Sequence, residues 1–200
     1  MLKSTWDHPI TFWALLSLPT IPMTLGLTSG TPDAVKTLLH PTGEFAARFM
    51  IIAMMITPLM MLFRDASWPR WLMKRRRYLG VAAFFYALAH TVLYLIDEGA
   101  IAFTDGEVSK LYIWTGWIAF LIFVPLAVTS TDAWVRRLGR SWKKLQQFVY
   151  AAAILTLIHW AALHDWGGVG AALVHFAPLV ALEVYRLWST QQRRRHRALT

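Results

Sequence analysis

Residues 75–98 read RRRYLGVAAFFYALAHTVLYLIDE. Three arginines lead into a run from Tyr78 to Ile96 that holds no Asp, Glu, Lys or Arg, and Asp97 and Glu98 close it. A helix crossing the hydrocarbon core needs about 20 mostly apolar residues. The stretch therefore reads as a membrane span with cations at one end and acids at the other. Inside it sits one side chain that titrates near neutral pH, His90.

Working outward, five further stretches have the same character: Ile10 to Leu27, Gly43 to Phe63, Leu111 to Thr129, Leu145 to Leu163 and Val169 to Trp188. Pro19 and Pro22 interrupt the first and make it the weakest. Asp7 ahead of that run, its prolines and the lack of a clean small-residue cleavage site argue against a cleaved signal peptide, so it is expected to stay as a helix. The expected fold is all-α, a polytopic membrane bundle of about six helices. Composition agrees: 56% of the 200 residues are hydrophobic and 16% are charged, against about a quarter charged in a typical soluble domain. Without cysteine, disulfides and thiolate-held clusters are excluded.

The charges give the bundle a direction. Arg64, Arg70, Lys74, Arg75, Arg76 and Arg77 lie between spans two and three, and Arg136, Arg137, Arg140, Lys143 and Lys144 between spans four and five. The tail holds Arg186, Arg193, Arg194, Arg195 and Arg197. The alternate loops hold little more than Lys36 and Lys110, with Asp33, Asp97, Glu98, Asp105, Glu107 and Asp165. The positive-inside rule then puts both termini and the basic loops in the cytoplasm. The net charge of +9 reads as loops facing anionic lipid, with no nucleic-acid partner. The tail at 189–200 is expected to be a solvated, lipid-attracted end.

Ionisable groups within a span are costly and mark function. His90 lies 12 residues into span three and His159 14 residues into span five, depths of roughly 18 and 21 Å at the helical rise. Both spans run outward, so the two imidazoles sit at similar heights in the outer half of the bilayer. Such a pair suits a haem iron with one axial nitrogen from each side. It equally suits two separate interhelical hydrogen bonds, and spacing alone leaves both open. No third ligand lies at that depth for zinc or copper unless His175 approaches from span six, where a hydrogen bond or water contact is the simpler role. His40 stands just before span two, while His8, His164 and His196 read as surface residues. Arg48 can pair with Glu44 four residues earlier; it reads either as snorkelling to the interface or as neutralising a haem propionate. Pro58 and Pro125 are expected to kink their helices.

Several segments together carry a resemblance: HPTGEFAARF (40–49), ITPL (56–59), RRRYLG (75–80), ALAH (87–90), PLAVTSTD (125–132), LGRSWKKLQQFVY (138–150) and the IH ending at His159. They resemble the haem-binding membrane subunit of the bacterial periplasmic methionine sulfoxide reductase system, the MsrQ (YedZ) family, within the ferric-reductase-like transmembrane group. The resemblance runs from about His40 to His159. It implies one transmembrane domain over 1–200 with a ferric-reductase-like core at about 40–165, in the bacterial inner membrane. It also implies haem b held by His90 and His159, and electrons passed from quinol or a separate flavin reductase to a periplasmic molybdopterin reductase that repairs oxidised methionine. The family pattern LHxFVY stands here as LQQFVY, so Gln146 replaces a histidine. An amide is a poor haem ligand, and the matching level of span three, about Arg76, offers no imidazole. One haem on the outer side is the expectation, with Gln146 a polar cap or a contact for quinone or FMN. The chain is expected to carry electrons for chemistry done elsewhere. Its rivals are a stand-alone ferric or cupric reductase and a haem-free transporter or assembly factor on the same scaffold.

Overall fold

The computed structural model describes residues 8–28, 30 and 33–199; Asp7 lies outside them, as do the side chains of Asp105 and Arg197. The described chain is helical from end to end. In order it forms α1 (Pro9–Ser17), α2 (Thr20–Thr28), α3 (Ala34–Leu62), α4 (Trp68–Glu98), a 3₁₀ turn (Gly99–Phe103), α5 (Asp105–Val108), α6 (Leu111–Val128), α7 (Asp132–Leu138), α8 (Arg140–Gln146), α9 (Val149–Ala161), α10 (Leu163–Trp166) and α11 (Val169–Leu199). Four helical stretches are long and apolar enough to cross a membrane: Ala34–Leu62, Trp68–Phe103, Leu111–Val128 and Val169–His196. The pair α1 and α2, bent by 45°, makes a fifth if it counts as one broken span.

Two expected spans differ in form. The first is broken at Pro19, which has no backbone N–H to continue the helix, and the chain restarts as α2. The stretch expected from Leu145 to Leu163 holds a helix of only 13 residues, α9. At the helical rise that is roughly 20 Å, short of a hydrocarbon core about 30 Å thick. A turn at Gln147–Phe148 separates it from α8.

The basic loops are also more ordered than sequence reading implies. Helix α4 starts at Trp68, so Arg70, Lys74, Arg75, Arg76 and Arg77 all lie on it. Arg75 is buried, with its guanidinium 3.8 Å from the centre of the Trp71 ring, an attraction that strengthens with desolvation. The Arg-rich tail continues α11 without a break. At its other end α4 stops at Gly99, whose φ of 56° a side chain would resist.

Helix α3 packs along α4, α6 packs along α9, and α11 closes the bundle against α3 and α9. Met50, Ala83, Phe123, Ala152 and Phe176 meet in the main core, one from each of these five helices. Helices α1 and α2 cover the outside of the α3–α4 pair through Phe12, Leu16 and Met23. This leaves a gap between α3, α4, α6 and α9 toward the end that carries Gly99–Lys110.

Candidate functional site

Two helices present a carbonyl and a glycine in the same arrangement. On α3, the Leu39 carbonyl lies 2.9 Å from His90 Nδ1 of α4. Gly43 follows four residues later, and a Cβ there would come within 3.1 Å of the His90 ring. On α6, the Tyr112 carbonyl accepts from His159 Nδ1 of α9. Gly116 again follows four residues later, and a Cβ on it would lie 2.7 Å from His159 Nδ1. Each imidazole thus brings its Nδ1 edge against a helix at a glycine, where no side chain stands in the way.

The hydrogen bonds fix the chemistry of both rings. A carbonyl can only accept, so each Nδ1 carries the proton and each Nε2 keeps its lone pair. Backbone pinning of Nδ1 is what metal-ligating histidines commonly show. The two ring centres are 6.0 Å apart and the planes cross at 84°. Two imidazoles bound to opposite sides of one metal, with metal–nitrogen bonds of about 2 Å, have ring centres at roughly that separation. The separation would suit one metal ion held between the two rings. The two interhelical hydrogen bonds weighed as an alternative to metal binding are both present, yet they use only Nδ1.

His90 and His159 line a cavity of about 400 Å³, within the range of roughly 300–1,000 Å³ for cofactor sites. Its walls are largely apolar and aromatic, including Phe120, Phe123, Trp117 and Trp160. Phe84 of α4 stacks on Phe120 of α6 at 6.1 Å and 7°, tying the two walls together. Lys36, His40, Asp97, Glu98, Glu107 and His164 gather toward one end. Among the described residues no group of three or more His, Cys, Asp or Glu side chains converges to hold a metal ion.

Arg48 is placed differently. It donates to Glu44 and, through Nε, to His175 Nε2 at 3.3 Å, and it is not among the cavity-lining residues. His175 Nδ1 donates to the Ala171 carbonyl at 2.8 Å, which leaves Nε2 free to accept from the arginine. His175 also lies against Trp160, ring centres 4.7 Å apart. Glu44 does line the cavity, so Arg48 touches the site through its partner. Gln146 donates to the Leu126 carbonyl at 3.1 Å and to Thr129 Oγ1 at 3.3 Å. Its amide caps the end of α6.

Residues 42–157 match the family described as "Ferric reductase like transmembrane component". A protein of Xanthomonas oryzae pv. oryzae named protein-methionine-sulfoxide reductase heme-binding subunit MsrQ is 34% identical over 83% of this chain and 75% of its own. Proteins of the same name from Xanthomonas campestris pv. campestris and Brucella anthropi are 35% and 37% identical, each over 82% of this chain and 74% and 73% of their own. The chain belongs to the MsrQ family, within the ferric-reductase-like transmembrane group. No solved structure matches it. The matched region begins at Thr42, inside the Leu39–Gly43 seat of His90, and ends two residues before His159. Neither glycine was singled out by sequence reading, because a glycine in a span does not announce which ring it admits.

Proposed function

We propose that this member of the MsrQ family is the haem-binding membrane subunit of a methionine sulfoxide reductase system. It would hold one haem b in the cavity, with His90 and His159 as axial ligands. The observation that carries this reading is the facing pair of imidazoles, each with Nδ1 committed to a carbonyl and Nε2 left as a lone pair. The residues present fit a flat, largely apolar ring system with one polar end. Bound there, haem supplies one-electron exchange at its iron.

The chain's own residues have separable tasks. Leu39 and Tyr112 hold the ligand tautomers, Gly43 and Gly116 clear space for the rings, and the aromatic wall excludes water and lowers the local dielectric. Arg48 enters as the counter-charge to Glu44 at the cavity wall. A direct bond to a propionate, its other expected role, would require it to leave Glu44 and His175. With Gln146 holding the end of α6, we propose a single haem and no second site at that level.

The electron path we propose runs from quinol or a separate flavin reductase on the cytoplasmic side to a periplasmic molybdopterin reductase. It assumes the bacterial inner membrane, six crossings and both termini inside, in keeping with the basic α4 start and α11 tail. The remaining crossing would be the stretch from Leu145 to Leu163 that holds α9, with Arg140, Lys143 and Lys144 of α8 left at the cytoplasmic face. One domain would then cover 1–200, its core at about 40–165 and its basic extension at 189–200. A visible spectrum of the purified protein tests the central claim. A dithionite-reduced b-type band is expected at one haem per chain, absent from both His90→Ala and His159→Ala. A colourless, folded wild-type protein would favour the transporter or assembly-factor alternative instead.

A further inference from the structure

The Tyr94 hydroxyl is buried, lines the same cavity, and has no hydrogen-bond partner among the described residues. A buried hydroxyl left unpaired is costly, so such a group marks where something else belongs. Tyr94 stands one helical turn beyond His90 on α4, toward the Asp97–Glu98 end. Helix α3 packs alongside in the opposite direction, and its Leu39 carbonyl sets the level of the His90 ring. Lys36, three residues before Leu39, therefore stands about one turn beyond that ring on the same side, and it too lines the cavity.

We infer that Tyr94 and Lys36 together receive a carboxylate at the polar end of the cavity, the hydroxyl donating a hydrogen bond and the ammonium supplying charge. The inference rests on the haem reading above, and the carboxylate is then a propionate of the bound haem. The surroundings support that level. Asp97 and Glu98 line the cavity three and four residues further along α4, where their charge repels a carboxylate that rises past Tyr94. Glu107 lines the same end of the cavity and is paired with Lys110, which offsets its repulsion of an incoming carboxylate. Arg48, held by Glu44 and His175, is not at the cavity surface. Tyr94 is thus a positioning residue that sets the depth of the ring and the charge felt at its iron.

Removing either partner leaves the carboxylate more negative and favours ferric iron. In Tyr94→Phe, which keeps the ring, and in Lys36→Met, the ferrous-to-ferric ratio at a fixed ambient potential is expected to fall about threefold to tenfold; tenfold corresponds to roughly 59 mV for one electron. The decisive arm is reconstitution with haem dimethyl ester, whose carboxylates are blocked. There Tyr94→Phe and wild type are expected to titrate alike. An equal shift with both haems would show that the hydroxyl meets only water or polypeptide, and no shift with native haem would overturn the contact outright. A wild-type protein that takes up neither haem removes the underlying reading, a result distinct from either of these.

Discussion

Gly116 and His159 are in such close register that a single methyl group on the glycine would lie 2.7 Å from Nδ1 of the ring. The ring cannot simply retreat, because that same nitrogen is bonded to the Tyr112 carbonyl one turn away. Gly116→Ala is therefore expected to push the ligand off its seat at a cost of about 1–3 kcal/mol, and to lower haem content well below one per chain. Gly43→Ala, with its nearest ring atoms at 3.1 Å, should retain more haem. Haem-to-protein ratios of the two variants check the order, and an unaffected Gly116→Ala protein would break the proposed seat.

Gln146 bears on how many haems the bundle holds. Its amide is already spent on Leu126 and Thr129. Gln146→Leu should destabilise the protein by about 1 kcal/mol, the net worth of an ordinary hydrogen bond, without changing haem content or spectrum. Gln146→His is expected to leave the count at one, since Arg76 on α4 offers no opposing imidazole. Pyridine haemochrome counts near two for that variant would show a latent second site.

What could be read from sequence follows how local each cause is. Apolar runs such as Tyr78–Ile96 and Leu111–Thr129 identify their helices because hydropathy is a property of the run itself. The Glu44–Arg48 pair was legible for the same reason, as four residues on one helix bring the side chains together. His90 and His159 could be matched by depth, since both are counted from basic span starts. The second partner of Arg48, His175, lies 127 residues away, and no local pattern predicts it. The break between α8 and α9 at Gln147–Phe148 was equally hidden, for neither residue is a proline or glycine that would interrupt a helix. Gly43 and Gly116 escaped because their meaning lies in the ring of another helix.

The Glu44–Arg48–His175 cluster makes a separable prediction. Their side chains are 19%, 40% and 24% exposed, so the pair is neither fully desolvated nor fully screened. Arg48→Met should cost about 1 kcal/mol, discounted for that exposure, and lower the thermal midpoint by a few degrees. The midpoint potential should move much less than in Tyr94→Phe, because Arg48 reaches the cavity only through Glu44. A larger shift in Arg48→Met than in Tyr94→Phe would restore the arginine as a direct propionate partner.

Arg77, in the third turn of α4, and Asp132, at the start of α7, join the two helices across an exposed ion pair. The hydrogen bond from Arg77 holds the Asp132 carboxyl below the usual carboxylate range. A depressed native value means the pair's contribution is fully present above the unfolded carboxylate pKa of about 3.9. It is lost as pH falls through the lower native value. Thermal midpoints of wild type and Asp132→Asn in detergent should therefore differ most near neutral pH and converge in acid. The gap should also shrink as salt is added, since the pair is open to solvent. A gap that widened on acidification would mean that Asp132 is protonated more readily in the folded protein than in the unfolded one, the opposite of what Arg77 imposes.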